Sequence, residues 1–234
     1  MNANRVLVVD DDREIVKAIM LLLENEGIDS AAAYDGDGAL AALDADRGIS
    51  LIILDIMMPG MDGLSATLRI RRERNIPILL LSAKSEYSDK VLGLSMGADD
   101  YVAKPFHPQE LMARVKSLLR RYNELGDRNA SDSGKTLTNG DLCYDTGTRQ
   151  LTVSGASVRL TATETKLVEL LMRYPGRVFP AEEIYERVWD EAAYGVENTV
   201  MVHIRRIREK IEANPKEPKY LKVVWGIGYK IEKF

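Results

Sequence analysis

The sequence predicts two domains, an α/β domain with a parallel sheet over residues 1–121 and a smaller α+β domain over residues 137–234. The first prediction rests on alternation, because short runs rich in Val, Ile and Leu are separated by segments of helical periodicity. The second rests on a change of pattern, to short alternating strands followed by three helical segments and a final hairpin. Residues 122–136 are polar, have no periodicity and concentrate Gly, Ser, Asn and Asp, which is typical of a linker.

Composition and charge limit the possible functions. With 234 residues, of which 45% are hydrophobic and 29% charged, the chain can form two ordinary globular cores. No apolar run approaches the ~20 residues of a membrane span and the N-terminus leads directly into a strand, so we expect a cytoplasmic protein with no membrane association. The single cysteine, Cys143, excludes an internal disulfide and a cysteine-rich zinc site.

The charge is distributed unevenly along the chain. Residues 1–121 contain 15 Lys and Arg against 19 Asp and Glu, a net charge of −4. Residues 198–234 contain 9 against 4, a net charge of +5. An acidic first part and a basic end indicate two separate tasks, and they favour a polyanion as the partner of the second domain.

Five apolar runs predict the strands of the first domain. They occupy residues 6–9, 31–34, 51–54, 78–81 and 100–103, and the pattern is weak at 31–34 and at 100–103. Between them, apolar residues recur at helical spacing; Ile15, Ile19 and Leu22 fall on one face of the first such segment, and Gly27 stands where that helix would end. Strands that alternate with helices form a parallel sheet covered on both faces, so the pattern predicts five β-α units.

Polar residues stand at the ends of four predicted strands. The first strand is followed by Asp10, Asp11 and Asp12, and the third, fourth and fifth end at Asp55, Ser82 and Lys104. Because the carboxyl ends of parallel strands share one edge of the sheet, these side chains are expected to lie close together. A single aspartate in such a place is more often the N-cap of the next helix, but the coincidence at four strand ends favours a site.

This set of residues suits phosphoryl chemistry. Close carboxylates repel one another and favour a hard cation such as Mg²⁺, which prefers oxygen ligands. Asp55 is the candidate nucleophile, which would attack phosphorus and form an acyl phosphate. The ammonium group of Lys104 and the hydroxyl group of Ser82 would each contact a phosphoryl oxygen.

Four segments carry a resemblance to a known family. Val8–Asp12, Leu54–Gly63, Leu81–Ala83 and Lys104–Phe106 resemble, in this order, the four signatures of response-regulator receiver domains. The resemblance implies a flavodoxin-like sheet of five parallel strands in the order 2-1-3-4-5, with helices on both faces. It also implies that the Lys104–Pro105 peptide bond is cis.

The same resemblance assigns a role to each residue of the pocket. It makes Asp55 the phosphoacceptor, with Lys104 and Ser82 as its catalytic partners. Ser82 and Tyr101 would form the switch pair. The ligands of Mg²⁺ would be Asp10, Asp11, Asp55 and the backbone carbonyl of Met57. The phosphoryl donor would be a histidine kinase. The protein would not be an enzyme beyond catalysing its own aspartyl phosphorylation and dephosphorylation.

Charged and apolar residues over 87–121 predict a dimer interface. The charges alone also fit a solvated surface. The pattern resembles the face by which OmpR/PhoB-type receivers form a homodimer when phosphorylated, built from the fifth strand and the last two helices. The resemblance places Lys90, Val91, Leu94, Asp99, Asp100, Glu110, Ala113, Arg114 and Arg121 in this interface. The expected intermolecular pairs are Lys90 with Glu110 and Asp100 with Arg114.

A helix with two different faces is predicted over residues 198–211. Val200, Ile204, Ile207 and Ile211 follow one another at spacings of four, three and four and form a core stripe. Asn198, Thr199, Val202, Arg205, Arg206 and Glu209 point broadly the other way. Such a face suits the major groove, because Arg contacts guanine and an apolar side chain contacts the thymine methyl group. A solvated amphipathic helix would give the same pattern.

The surroundings of this helix resemble the winged helix-turn-helix effector domain of OmpR/PhoB-type regulators. A capping box of Thr161 and Glu164 begins an earlier helix, and residues 223–230 form the hairpin that would be the wing at the minor groove. The resemblance assigns contacts with promoter DNA to Asn198, Thr199, Val202, His203, Arg205, Arg206, Arg208, Trp225 and Lys230. It assigns contact with RNA polymerase to residues 189–198.

Two positions depart from the usual pattern of this family. Many members carry Arg where this chain has Asn198 and Trp225, so an arginine contact from the wing to the minor groove is not available here. Trp225 would instead pack on a sugar or cover the core. The Trp-Gly-x-Gly sequence of the wing resembles a subgroup that includes glycopeptide-resistance regulators.

Two other classes of function were weighed against this one. A phosphatase of the haloacid-dehalogenase type also uses an aspartate at a strand end, but its first motif, Asp-x-Asp-x-Thr/Val, would need Thr or Val where Glu14 stands. A signalling scaffold whose second domain binds protein is disfavoured by the basic residues of 198–234. Insensitivity of DNA binding to salt would favour the scaffold, since phosphate contacts weaken with salt.

Overall fold

The computed structural model describes residues 4–82, 93–126, 135–190 and 197–234. The chain forms two compact units that divide between Asn123 and Glu124. Within the described ranges, no helix is both long enough and apolar enough to cross a membrane.

The first unit contains a five-stranded parallel sheet. Its strands are β1 (Arg5–Val9), β2 (Asp29–Ala33), β3 (Ile49–Asp55), β4 (Ile78–Ser82) and β5 (Asp100–Ala103). Its helices are α1 (Arg13–Asn25), α2 (Gly36–Ala45), α3 (Gly63–Glu73) and α4 (Pro108–Gly126). The strand order is β2-β1-β3-β4-β5 and every pair is parallel, which confirms the predicted fold class and order.

The apolar runs form strands because both faces of the sheet are buried. Val6, Val8, Leu51 and Ile53 pack with the apolar faces of α1 and α4 in one core cluster. Every residue of β3 is buried, including those that alternate with this set. Aspartates begin three of the helices: Asp12, Asp35 and Asp62 each accept a hydrogen bond from a backbone N–H of the first turn.

Helix α4 extends beyond the predicted end of the first domain. It ends at Gly126 and so includes the first five residues of the predicted linker, 122–136. Contacts with the first unit explain the longer helix, because the amide of Asn123 donates to the side-chain oxygen of Asn4 at 2.8 Å. Residues 127–134 lie outside the described residues, and the next strand begins at Thr136.

In the described residues of the second unit, antiparallel strands are combined with three helices. A four-stranded sheet contains β6 (Thr136–Asn139), β7 (Leu142–Asp145), β8 (Gln150–Val153) and β9 (Ala156–Val158), in that order. Three helices follow, α5 (Ala162–Arg173), α6 (Ala181–Trp189) and α7 (Glu197–Ile211). The chain ends in a hairpin of β10 (Leu221–Val224) and β11 (Gly228–Ile231). This is the predicted α+β domain.

The helices of the second unit surround a single core cluster. Trp189 of α6 is fully buried in it and stacks on Tyr185, with ring centroids 4.8 Å apart. The predicted capping box is present at the start of α5, where the carboxylate of Glu164 accepts from the backbone N–H of Thr161 at 2.8 Å. The hairpin is joined to the loop before α6, because Phe179 and Tyr229 exchange two backbone hydrogen bonds of 2.8 and 2.9 Å.

Candidate functional site

The predicted acidic pocket lies at the carboxyl edge of the parallel sheet. Asp10 follows β1 and Asp55 ends β3, and their side chains are almost completely buried. Asp11 is exposed. One carboxylate oxygen from each of the three lies within 4.8 Å of the others. Three carboxylates at this spacing fit a hard divalent cation such as Mg²⁺.

Lys104 links two of these carboxylates. Its Nζ atom lies 2.6 Å from Oδ2 of Asp10 and 2.7 Å from Oδ1 of Asp55. The residue follows β5, two strands away from Asp55, and the Lys104–Pro105 peptide bond is cis, as expected. The sheet therefore brings together four side chains from three strand ends that are far apart in sequence.

The electrostatics of the pocket keep a cation beside Asp55. Burial raises the pKa of Asp10 more than the hydrogen bonds from Lys104 and from the backbone of Asp12 lower it. Burial alone would lower the pKa of Lys104, but its bonds to Asp10 and Asp55 outweigh burial and raise that pKa. Lys104 thus stays protonated at neutral pH and can pair with an anionic group that binds next to Asp55.

The loop after β3 fixes the orientation of the Asp55 carboxylate. The backbone N–H of Met57 donates to Oδ2 of Asp55 at 2.9 Å, while the Met57 side chain is exposed. A β-carbon on Gly63, the first residue of α3, would lie 2.1 Å from the backbone oxygen of Asp55, so only glycine fits there. The sequence places Gly63 in the Leu54–Gly63 signature but gives no reason for it, because this close approach exists only in the folded loop.

The remaining predicted pocket residues lie nearby on β4, β5 and α1. Ser82 is buried at the end of β4, and its carbonyl oxygen accepts from the backbone N–H of Lys104 at 2.6 Å. Tyr101 is half-buried in β5. Asp12 is instead the N-cap of α1, accepting from the backbone N–H of Glu14 at 2.8 Å. The switch role of Ser82 and Tyr101 stays a prediction.

The residues of the predicted dimer interface differ in exposure. Glu110 and Ala113 are exposed on α4 and Arg114 is partly exposed, whereas Leu94, Asp99, Asp100 and Arg121 are buried. Lys90 and Val91 lie outside the described residues. The surface available to a second copy in this part of the described chain is therefore smaller than predicted.

Two of the buried acids have partners within their own domain. Oδ2 of Asp99 accepts from Nη2 of Arg71 at 2.5 Å, and Oδ2 of Asp100 accepts from Nη1 of Arg114 at 2.9 Å. Arg114 also contacts Glu110 at 3.1 Å. The alternative interpretation, in which Asp99 and Asp100 lie on a solvated surface, does not hold for the single chain, because each is buried and accepts from an arginine of the same domain.

Helix α7 has the predicted core stripe but a narrower exposed face. Val200, Ile204, Ile207 and Ile211 all lie in the core cluster of the second unit, which confirms the helical periodicity. Arg205 and Glu209 are exposed and form an ion pair of 3.1 Å. Thr199, Val202 and Arg206 are buried, so the prediction that they are exposed is wrong.

Glu164 explains the burial of Arg206. This fully buried carboxylate lies 3.1 Å from Nη2 of Arg206 and 2.6 Å from Nζ of Lys210. Burial alone would raise the pKa of Glu164, but the two cations outweigh burial and lower it. Sequence reasoning identified Glu164 only as a helix cap; the two ion pairs join α7 to the start of α5.

Other predicted DNA contacts are held by neighbours within the second unit. His203 is buried, and its ring meets the edge of Trp189 at a centroid distance of 5.2 Å. Nε of Arg208 donates to the carbonyl of Leu221 at 2.8 Å, and Nζ of Lys230 donates to Glu232 at 3.0 Å. Asn198 is partly exposed. Arg205 and Trp225 are the exposed members of the predicted set.

Trp225 lies at the turn of the hairpin and is 88% exposed. It therefore does not cover the core, which was one of its two predicted roles.

Residues 191–196 of the segment predicted to contact RNA polymerase lie outside the described residues.

The two domains match two family models. Residues 6–116 match the response regulator receiver domain, and residues 155–231 match the family described as transcriptional regulatory protein, C terminal. The chain is 41% identical to the regulatory protein VanRc of Enterococcus gallinarum over 99% of this chain and 100% of that protein. It is 37% identical to the sensory transduction protein RegX3 of Mycobacterium tuberculosis over 97% of this chain and 98% of RegX3.

Solved structures agree with the fold. A RitR mutant aligns with a TM-score of 0.77 at 23% identity, over 99% of this chain and 100% of that one. The response regulator DrrB, a Thermotoga maritima OmpR/PhoB homologue, aligns with a TM-score of 0.50 at 29% identity, over 98% of this chain and 99% of that one. The similarity to VanRc agrees with the resemblance of the wing to the glycopeptide-resistance subgroup.

Proposed function

Because the chain belongs to the OmpR/PhoB-type two-component response regulators, and is thus a transcription regulator with a receiver and a DNA-binding domain, we propose that phosphorylation of Asp55 by a histidine kinase controls it. The observation that carries this proposal is the Lys104 ammonium group between Asp10 and Asp55, next to Asp11. The phosphatase and the protein-binding scaffold are both disfavoured by the two family matches.

The proposed reaction transfers a phosphoryl group to a carboxylate. An oxygen of Asp55 forms a bond to phosphorus while the bond from phosphorus to the imidazole nitrogen of the donor histidine breaks, and that nitrogen keeps the electron pair. The hydrogen bond from the Met57 N–H to Oδ2 of Asp55 would hold the carboxylate in one orientation during the attack. The protein would act on no substrate other than its own aspartate.

Lys104 and the neighbouring acids have distinct proposed roles. Asp10, Asp11 and Asp55, with the backbone carbonyl of Met57, would hold Mg²⁺, which offsets the negative charge of a phosphoryl group when bound. Lys104 would exchange its bond to Asp55 for one to a phosphoryl oxygen, because the carboxyl group of the acyl phosphate has lost its own negative charge. Ser82 would donate to a second phosphoryl oxygen and Tyr101 would follow it inward.

A labelling experiment tests the site. Wild-type protein incubated with labelled acetyl phosphate and Mg²⁺ should gain one acid-stable, base-labile phosphoryl group. Asp55→Ala should remain unlabelled, and the matched control Asp35→Ala, which removes only the cap of α2, should be labelled like wild type. Labelling of Asp55→Ala would show that the phosphoacceptor is another residue.

We propose that phosphorylation increases the fraction of the protein that is dimeric. The exposed residues Glu110 and Ala113 and the partly exposed Arg114 would join two receivers. Two effector domains would then bind repeated half-sites of promoter DNA with higher affinity than one. Residues 189–198 would contact RNA polymerase. In this proposal the partners are the kinase, promoter DNA, RNA polymerase and a second copy of the chain, all in the cytoplasm.

A further inference from the structure

We propose that a groove between α1 and β2 is a self-association surface, on which a second copy of the chain docks with its own α1 antiparallel to the first. We call this surface the α1 groove, and its lining includes Lys17, Met20, Leu21, Glu24, Ile28 and Asp29. The inference goes beyond the proposed function, because none of these residues belongs to the phosphorylation pocket or to the proposed dimer interface on β5 and α4. It also needs no phosphoryl group.

The α1 groove is open on one side. It has a volume of about 610 Å³ and lies between the second half of α1 and the start of β2. Since β2 is the edge strand of the sheet, no further strand of the described residues covers the groove there. Met20 and Ile28, which are half-buried, and the exposed Leu21 form its apolar part. An open groove with apolar lining suits a side chain of another molecule.

Leu21 is the side chain that projects from this surface. The buried residues of α1 are Val16, Ile19 and Leu23, whereas Leu21 is 57% exposed on the other side of the helix. The core therefore does not require an apolar residue at this position. A single exposed leucine is common, but this one borders an apolar groove. One copy of the chain thus carries both a projecting side chain and the space to receive one.

The charges on either side of Leu21 are complementary under a two-fold axis. Lys17 precedes Leu21 by four residues, about 6 Å along the helix, and Glu24 follows it by three, about 4.5 Å. Two antiparallel α1 helices that meet at Leu21 therefore place Lys17 of each copy opposite Glu24 of the other. Two ion pairs would flank the contact between the leucines, as a symmetric interface requires.

The charged groups of the α1 groove are available for such pairs. Within the described residues, neither Glu24 nor Asp29 has an ion-pair partner in its own chain, and both are exposed. Lys17 pairs with Glu14 at 2.7 Å, but the two side chains are 71% and 80% exposed, and a pair this exposed contributes little. Lys17 can therefore contact a carboxylate of a second copy at little cost.

These observations point to a second copy as the occupant. A partner must present an apolar side chain between a cation and an acid at matching distances, and α1 itself has this pattern. The interface would be small, since it consists of one helix face and one groove in each copy. The dimer is therefore weak, so it is populated only at high protein concentration and not at the dilution of a gel-filtration column.

Sedimentation velocity tests the association. The full chain with Asp55→Ala, which removes the proposed phosphoacceptor, is measured without a phosphodonor from about 10 μM to about 1 mM, the range in which a small interface is populated. The weight-average mass should rise from 26.2 kDa towards twice that value. A mass that stays at 26.2 kDa throughout would overturn the proposal and leave the groove to a partner other than this chain.

Apolar substitutions in the same background locate the contact. Leu21→Ala should raise the dissociation constant at least about tenfold, because the two-fold axis removes two leucine side chains from the interface. Leu68→Ala, a change of the same kind at an exposed position of α3, is the matched control and should associate like the parent chain. Glu110→Lys should also associate like the parent, since it lies on the other proposed interface. Unchanged association of Leu21→Ala would overturn the proposal.

Charge reversal tests the two-fold arrangement. Lys17→Glu and Glu24→Lys should each stay monomeric, because like charges then oppose each other twice in every dimer. An equimolar mixture of the two variants should associate again, since the substituted positions then face each other with opposite charges, and so do the native ones. A mixture that stays monomeric, or single variants that associate like the parent, would overturn the proposal.

Discussion

At the scale of single residues, Arg205 and Arg206 are neighbours in α7 with opposite environments. Arg205 is exposed and pairs with Glu209 on the surface, whereas Arg206 is almost fully buried against the carboxylate of Glu164. The two residues have the same side chain and follow one another in the helix that is proposed to bind DNA. Their environments lead to different expectations for function and for stability.

We expect the two alanine substitutions to separate these effects. Arg205→Ala should weaken binding to a selected duplex and lower the salt slope by about one, with the free energy of unfolding changed by less than about 0.5 kcal/mol. Arg206→Ala should lower the free energy of unfolding by about 3 kcal/mol, because it leaves Glu164 buried with one partner fewer. Filter binding and urea unfolding give the two quantities. An Arg206→Ala protein of wild-type stability would show that the buried ion pair contributes nothing.

Gly63 is the second residue whose environment has a specific consequence, because its position has no space for a β-carbon. Gly63→Ala would place a methyl group 2.1 Å from the backbone oxygen of Asp55, so the loop must shift and move the proposed phosphoacceptor with it. We expect phosphorylation by acetyl phosphate to be at least about tenfold slower, since small displacements at a reacting group have effects of this size. Gly60→Ala, at a position with a φ of 76° but open space around it, is the control for backbone strain alone. Equal rates for the two variants would contradict this interpretation.

At the scale of elements, Glu164 joins two helices of the effector domain. Its carboxylate caps α5 and pairs with Arg206 and Lys210 of α7, and its pKa is lowered below the ordinary value of 4.5. A lowered pKa means that the ionised form stabilises the fold. This stabilisation is complete above about pH 4.5 and is lost as the pH falls through the lower pKa of the folded state.

The pH dependence of Glu164→Gln follows from this. At pH 7 the variant should be less stable than wild type by about 3 kcal/mol, and the difference should shrink as the pH falls below 4.5. Both tryptophans lie in the second unit, so fluorescence during urea unfolding follows this domain. Glu209→Gln, which removes an exposed pair on α7, is the control and should change stability by less than about 1 kcal/mol. A stability difference that does not vary with pH would exclude the ionised carboxylate as its cause.

The periodicity of the chain was sufficient to predict most elements. The core stripe of α7 and the pocket at the strand ends follow from patterns within one segment or from general rules of parallel sheets, whereas the strand order follows from the resemblance to receiver domains. The errors concern charged residues with distant partners. Lys210 meets Glu164 across 46 positions and Arg71 meets Asp99 across 28, and no local pattern indicates such a pair. From the sequence alone, a charged residue on a helix is therefore predicted to be solvated even where the folded domain buries it.

At the scale of the whole molecule, we expect phosphorylation to change the oligomeric state. Gel filtration with light scattering should show a shift from 26.2 kDa to about twice that mass after addition of acetyl phosphate and Mg²⁺. Asp55→Ala should not shift, and Glu110→Lys should be phosphorylated without shifting, because it places a cation beside Arg114 on the proposed interface. Glu24→Lys, an exposed change on α1, is the control and should behave like wild type.

The outcome of this measurement distinguishes two modes of activation. A phosphorylated protein that stays monomeric would contradict dimerisation as the switch. Phosphorylation would then act through the effector domain of a single chain, and two copies would dimerise only on DNA. The intramolecular bond between Asp100 and Arg114 would then be kept in the active state rather than exchanged with a second chain.

The bond between Asp10 and Lys104 also has a consequence for the order of protein synthesis. It joins residues 94 positions apart, and Lys104 follows the last strand of the sheet. A ribosome delivers Asp10 and Asp55 well before Lys104, and domains fold as units when their last elements emerge. The pocket is therefore completed only after nearly the whole receiver has left the ribosome, and an unfinished chain lacks the assembled pocket that the proposed phosphoryl transfer needs.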